Sequence, residues 1–213
     1  MVINLIFKKC SIFAAGTYYC SEKPVKDSLI IAADGGCDYL ISNNIVPDYA
    51  IGDFDSGKCP ENIPSFRLNP VKDETDTFEA VKLGIEKGCT EFHLFGVAGG
   101  RTAHTVANIQ TLIMLAERGM SGFLYGDNEI MTVINNGNIK FSDESKGYIS
   151  VFSLDTSCDG VCEKGLKYSL DNYQLTNSYP VGVSNEFVGK EAEISVRKGN
   201  LLIIYTFDAK RID

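Results

Sequence analysis

In the first 125 residues, short apolar runs alternate with stretches whose apolar residues recur at helical spacing. Val2 to Phe7, Leu29 to Ala33, Asp48 to Ile51 and Glu91 to Val97 read as strands. Asp76 to Lys87 predicts a helix with Phe78, Val81 and Ile85 inward and Gly88 as its stop. His104 to Arg118 predicts a second, with Val106, Ile109, Ile113 and Ala116 inward and Gly119 as its stop. Strands alternating with helices argue for a mostly parallel sheet covered by helices on both faces. From about Gly126 the helical period disappears. Asn135-Asn136-Gly137-Asn138 and Lys198-Gly199-Asn200 punctuate β-rich runs, among them Tyr148 to Leu154, Glu193 to Val196 and Leu201 to Phe207. That pattern predicts an all-β antiparallel sandwich or barrel. The expected organisation is an α/β domain over 1–125 and a β-sandwich domain over 126–213.

Composition narrows the function. The chain has 213 residues, a net charge of −8, 44% hydrophobic and 23% charged residues. That length accommodates two modest domains, each with its own core. Acidic and basic residues are spread over both halves with no basic patch, which argues against nucleic-acid binding. No apolar run approaches the ~20 residues that span a bilayer. At the N-terminus the charges of Lys8 and Lys9 follow the apolar stretch, the reverse of a secretory signal, so a buried first strand is expected. The seven cysteines are odd in number and scattered, matching neither a zinc pattern nor a disulfide framework. They read as reduced, cytoplasmic thiols packed as small apolar groups.

Ligand sites in parallel sheets lie outside the carboxyl ends of the strands. Four polar clusters fall there: Asp34-Gly35-Gly36, Asp53-Phe54-Asp55-Ser56, Lys72-Asp73-Glu74-Thr75-Asp76 and Gly99-Gly100-Arg101. On an extended backbone Asp53 and Asp55 share one face, roughly 6 to 7 Å apart, and repel unless something positive lies between them. Mg²⁺ would relieve that repulsion, because it takes few protein carboxylates and leaves positions for water and phosphate oxygens. Gly35-Gly36 and Gly99-Gly100 would admit backbone N–H groups to an anion, the helix starting near His104 offers its positive end, and Arg101 offers a fork for phosphate oxygens. There is no G-x-x-x-x-G-K-[ST] loop. Other readings compete at single positions: Asp34-Gly35-Gly36 as a plain turn, Asp76 with Glu79 as a helix cap, His104 as a polar cap, and His93 as a structural mid-strand residue.

Order and wording together, in AADGG, PDYAIGDFDS, NPVKDETDTFEA, FGVAGGRTAHTVANIQ, GLKYSL and GVSNEF, resemble the thiamine pyrophosphokinase family of bacterial type over nearly the whole chain. The resemblance implies an N-terminal α/β, Rossmann-like nucleotide-binding domain and a C-terminal β-sandwich. It implies Mg²⁺-dependent transfer of a pyrophosphoryl group from ATP to thiamine, by a homodimer with the active site at the subunit interface. Carried over by position, Asp53, Asp55, Asp73 and Asp76 match the acidic metal and catalytic motifs. Asp34, Gly35, Gly36, Lys72, Gly99, Gly100, Arg101 and His104 fall on the ATP side, with Arg101 also catalytic. Tyr168 stands where many eukaryotic members stack a tryptophan on thiamine, with Ser184 and Asn185 near that pocket. Where the family pattern has an aspartate after G-G-R-x, this chain has Ala103, which can neither ligate a metal nor accept a proton. A nucleotide pyrophosphatase and a non-catalytic thiamine or nucleotide binder are the competing readings.

Overall fold

The structure is a computed structural model that describes residues 8–19, 21–54, 62–69 and 74–212. The chain divides into two compact units, one of residues up to Thr111 together with Gly122–Asp127, the other of Leu112–Ser121 and the residues from Asn128 onward.

The first unit is built on β1 (Lys9–Phe13), β2 (Ser28–Ala33), β3 (Tyr49–Gly52), β4 (Ser65–Arg67), β5 (Glu91–Phe95) and β6 (Ser121–Tyr125). They lie in the order β6-β5-β1-β2-β3-β4. Neighbours from β5 to β4 are parallel, so their carboxyl ends share one edge. Helix α1 (Gly36–Ser42) packs on the face of Phe13, Ala32 and Ala50. Helix α2 (Asp76–Glu86) packs on the opposite face, where Gly84 lies close enough to Phe92 and Cys10 that a Cβ would stand 2.6 Å and 3.1 Å from them. Helix α3 (Thr102–Glu117) follows β5. This is the parallel sheet with helices on both faces that the alternation predicted.

The details differ from the pattern in ways that have causes. The predicted strand Val2 to Phe7 lies outside the described residues; the central strand β1 follows it, in a segment where Lys8 and Lys9 mask the apolar signal. Lys9 is accommodated at the strand start because Glu91, its register partner on β5, lies 3.4 Å away. On α2 the buried positions are Thr77, Ala80, Val81, Leu83 and Gly84, and Phe78 and Ile85 are half-buried. Small residues face the sheet because close packing against β2 and Phe92 leaves room for little else. On α3 the buried face is Asn108, Thr111, Leu112 and Leu115, whereas Val106 is 52% exposed. Two polar residues in that stripe shifted the apparent apolar face.

The second unit contains β7 (Glu129–Asn135), β8 (Asn138–Phe141), β9 (Tyr148–Ser153), β10 (Ser157–Lys164), β11 (Leu170–Thr176), β12 (Asn185–Glu186), β13 (Ala192–Ser195), β14 (Asn200–Thr206) and β15 (Arg211–Ile212). They form one layer, β12-β9-β14-β7, and a second, β11-β10-β13-β8-β15, with antiparallel pairing throughout. Phe141, Val161, Leu175 and Ile194 from one layer meet Ile149, Val151, Leu201 and Ile203 from the other in a single core. It is a β-sandwich. The two turns foreseen at Asn136 and Gly199 bond to each other: Gly199 N donates to Asn136 Oδ1 at 2.8 Å, and Asn136 N to the Gly199 carbonyl at 3.2 Å.

Among the described cysteines, Cys10, Cys37, Cys89 and Cys158 are free and buried, and Cys162 is free and half-buried. Among the described residues no helix is long and apolar enough to cross a membrane.

Candidate active site

The shared edge of the parallel strands carries a cavity of about 330 Å³, lined by the residues that follow β1, β2 and β5 and by the first turns of α2 and α3. Ala14, Ala15 and Gly16 leave β1, Asp34 leaves β2, and Gly96 to Ala98 leave β5. Backbone contacts set these loops against each other: Ala14 N donates to the Phe95 carbonyl at 2.9 Å and Gly16 N to the Gly96 carbonyl at 2.7 Å. A Cβ on Gly16 would stand 2.3 Å from that carbonyl oxygen, so only glycine permits the approach. From below, Tyr18 donates its hydroxyl to the Ala14 carbonyl at 2.5 Å and stacks on Tyr39, ring centres 3.5 Å apart. Buried Asn108 on α3 donates from Nδ2 to the Val97 carbonyl at 2.9 Å, tying the second loop to the helix.

Five of the residues expected on the ATP or catalytic side line this cavity: Asp34, Asp76, Gly100, Arg101 and His104. Asp34 takes a left-handed backbone, φ +48°, which an aspartate tolerates, and its N–H donates to the Ile51 carbonyl at 2.8 Å. Asp76 is not the helix cap. Thr75 is, accepting from Phe78 N at 3.2 Å, which leaves the Asp76 carboxylate in the first turn as part of the cavity wall. Arg101 and His104 are both exposed at the start of α3, and so is Ala103.

Other expected residues stand apart from it. Gly35, Gly36, Gly99 and Asp53 are not in the cavity wall. Gly36 is needed for packing instead, since a Cβ there would meet the Phe13 carbonyl oxygen at 1.9 Å. Gly99 lies against Tyr19. Asp53 follows β3 at the same strand edge and is half-buried. The extended backbone assumed through Asp53 and Asp55 is corrected: the strand ends at Gly52 and Phe54 turns left-handed, φ +54°, its ring packing against the cluster of Ala32, Leu40 and Ala50. Asp55, Ser56, Lys72 and Asp73 lie outside the described residues. Among the described residues no group of three or more His, Cys, Asp or Glu could hold a metal ion, so the four-aspartate metal set expected from the motifs is not assembled by the described side chains alone.

His93, read as structural, is 6% exposed, with Nδ1 2.9 Å from Tyr125 Oη and Nε2 2.8 Å from Glu91 Oε1. The cavity wall also includes Ala14-Ala15-Gly16, Thr77 and Asn108, which the sequence reading does not single out. The signal for the first three is a small-residue run after a strand whose start is masked by Lys8 and Lys9; Thr77 and Asn108 carry none.

The second unit holds Tyr168, Ser184 and Asn185. Tyr168 is 62% exposed and follows β10. Asn185, on β12, is buried and spends its whole amide within the protein: Oδ1 accepts from Tyr168 N at 3.0 Å and Glu186 N at 2.9 Å, while Nδ2 donates to the Tyr168 carbonyl at 2.8 Å and to Glu163 Oε2 at 2.7 Å. Its side chain thus holds both backbone groups of Tyr168. Ser184 is exposed, left-handed at φ +57°, and donates its N–H to Ser150 Oγ at 3.0 Å. Lys167 Nζ pairs with Glu186 at 2.6 Å and lies 5.6 Å over the Tyr168 ring.

Comparison with known proteins gives one answer for both units. Residues 23–124 match the family described as thiamin pyrophosphokinase, catalytic domain, and residues 137–201 match thiamin pyrophosphokinase, vitamin B1 binding domain. The chain is 29% identical over 189 residues to a thiamine pyrophosphokinase of Bacillus subtilis, covering 85% of this chain and 88% of that one. A crystal structure of thiamine pyrophosphokinase from Bacillus subtilis superposes with TM-score 0.84 at 26% identity over 93% of this chain and 99% of that one. The enzyme of Geobacillus thermodenitrificans gives 0.83 at 23% over 93% and 97%, which shows a shared fold. With both of its units matched, and in the same order, the chain belongs to the thiamine pyrophosphokinase family.

Proposed function

We infer that this chain transfers the pyrophosphoryl group of ATP to the hydroxyl of thiamine, giving thiamine diphosphate and AMP. The observation that carries the reading is the cavity at the strand edge, where two carboxylates, an arginine and a histidine meet close-packed loop backbone. ATP occupies this cavity, with its phosphates against the Gly100-Arg101 turn and the start of α3, where N–H groups and a guanidinium favour anions.

The donor set fits a hard divalent cation. Asp34 and Asp76 offer oxygen ligands in one wall, and two protein carboxylates suit Mg²⁺, which retains water and takes up substrate phosphate oxygens. Asp76 and Asp34 would hold the ion, with Asp53, Asp55 and Asp73 belonging to the same proposed acidic edge. When bound, it would neutralise charge that builds on the transferred group. The protein's part is positioning and electrostatics. The thiamine hydroxyl oxygen bonds to the β-phosphorus of ATP, the bond from that phosphorus to the α,β-bridging oxygen breaks, and AMP departs with that oxygen. The hydroxyl proton passes to a carboxylate of the acidic edge. Arg101 offsets the charge on the oxygens of the transferred group.

Thiamine lies on Tyr168, whose exposed ring presents a face to a cationic ring system, beside Ser184. A homodimer with thiamine at the subunit interface is part of this reading, supported by the exposed apolar side chains of Tyr148, Tyr168, Val183 and Val188 on the second unit. A cytoplasmic place of action is supported by the free thiols. Following AMP formation from ATP with Mg²⁺, in the presence and absence of thiamine, tests the proposal. Thiamine-dependent AMP with matching thiamine diphosphate is the expected result. AMP released equally without thiamine would make it a pyrophosphatase, and binding without AMP would make it a sensor; either result overturns the reading.

A further inference from the structure

Beneath Tyr168 the sandwich core contains a carboxyl group that the proposed reaction does not use. Glu163, on β10, is 1% exposed, and no lysine or arginine pairs with it among the described residues. Its strand neighbours in register are Ile194 and Leu170. An apolar side chain would fill this position at lower desolvation cost, so the carboxyl group calls for an explanation. Burial pushes its pKa above the usual carboxylate value, partly opposed by the hydrogen bond from Asn185.

We propose that Glu163 is a positioning residue for thiamine, acting through Asn185 to fix the Tyr168 platform. This rests on the placement of thiamine on Tyr168 given above. The Asn185 side chain bonds both sides of the Tyr168 residue, its N–H and its carbonyl, and so fixes the pivot of a ring that has little packing of its own. One amide proton of Asn185 remains after Tyr168 is served, and Glu163 Oε2 takes it at 2.7 Å. With that acceptor in place all four hydrogen-bonding positions of the amide are filled, and neither a rotation nor an exchange of its N and O ends keeps them. Without it, a buried N–H is orphaned, and the amide gains by turning away from Tyr168 to find another partner. Glu163 never meets the ligand; its effect is on where the ring stands.

The test compares Glu163→Leu, which has similar bulk and no acceptor, with Glu163→Gln, which keeps one. KM for thiamine and for ATP, and Tm, are measured for each, with Tyr168→Ala alongside. The expectation is that Glu163→Leu raises KM for thiamine roughly tenfold, the size of one lost buried hydrogen bond, with KM for ATP unchanged. Glu163→Gln restores KM for thiamine to near the parent value. A thiamine KM unmoved by Glu163→Leu, or one that rises together with KM for ATP, overturns the proposal. If Glu163→Leu does not fold, Glu163→Asp, which withdraws the acceptor by one methylene, is judged by the same split. Tyr168→Ala separates the two layers. If it leaves KM for thiamine unchanged, the placement of thiamine on Tyr168 falls and the proposal with it; if it raises KM while Glu163→Leu does not, only the role of Glu163 falls.

Discussion

In the α/β unit the cavity is shaped by backbone: Gly16 against Gly96, Ala14 against Phe95, and Asp34 against Ile51, with charged side chains standing at the ends of loops so fixed. In the β unit the candidate platform is shaped by side chains: a buried glutamic acid holds a buried asparagine, which holds an exposed tyrosine. Under the proposed function, the difference follows from what each would meet. A phosphate chain is recognised by N–H groups and point charges, which parallel strand ends and helix starts supply without further construction. A flat cationic ring needs an aromatic face at a set angle, and a sandwich surface offers none until buried polar groups fix one.

Substitutions can break this comparison, and the largest effect is expected at the cavity. Asp76→Asn is expected to lower kcat/KM by roughly a hundredfold or more, as for loss of one preorganised electrostatic group, with Tm within a few degrees because Thr75 carries the cap. Steady-state kinetics with a parallel melting curve checks both halves. In the β unit, Asn185→Leu removes four hydrogen bonds and leaves Tyr168 and Glu186 backbone groups orphaned. Unfolding in urea should show a loss of about 3 kcal/mol, accompanied by a raised KM for thiamine. Gly16→Ala forces a methyl group against the Gly96 carbonyl at 2.3 Å, and a loss of about 2 kcal/mol by the same measurement is expected. A neutral outcome there would show that the loops yield and that the backbone is not what sets the cavity.

A pH series sharpens the picture beneath the cavity. Glu22 is 6% exposed, near Tyr18, with no side-chain hydrogen-bond donor among the described residues. Burial, only partly opposed by the Tyr19 backbone, lifts its pKa from 4.5 to about 7. The folded state therefore binds this proton more tightly than the unfolded state does. The contribution to stability is complete below pH 4.5 and is lost as pH rises to about 7. Its size is on the order of 3 kcal/mol. Glu22→Gln should flatten that part of the stability profile; an unchanged slope would locate the proton uptake elsewhere. The smallest effect is expected from Thr75→Ala, about 1 kcal/mol for a lost N-cap, read from Tm.

The alternation of strands and helices in the first half, the turn residues of the second, and the acidic and glycine clusters after strands are local properties, and the sequence by itself carried them. Hydrophobic period and turn chemistry act over a few residues, so they are legible without a partner. Parallel strands then oblige the loops after β2 and β5 and the start of α2 to share an edge, which is why Asp34, Asp76 and Arg101 could be grouped in advance. Tertiary structure decided what depends on neighbours distant in the chain. It made Lys9 a strand residue by setting Glu91 beside it, turned the small face of α2 inward against Phe92, left Val106 outside, and gave Thr75 rather than Asp76 the cap. It also set Glu163 under Asn185, where in sequence it is one more polar residue in an alternating strand. Burial and hydrogen-bond partnership belong to pairs of residues, and no single stretch of chain contains both members.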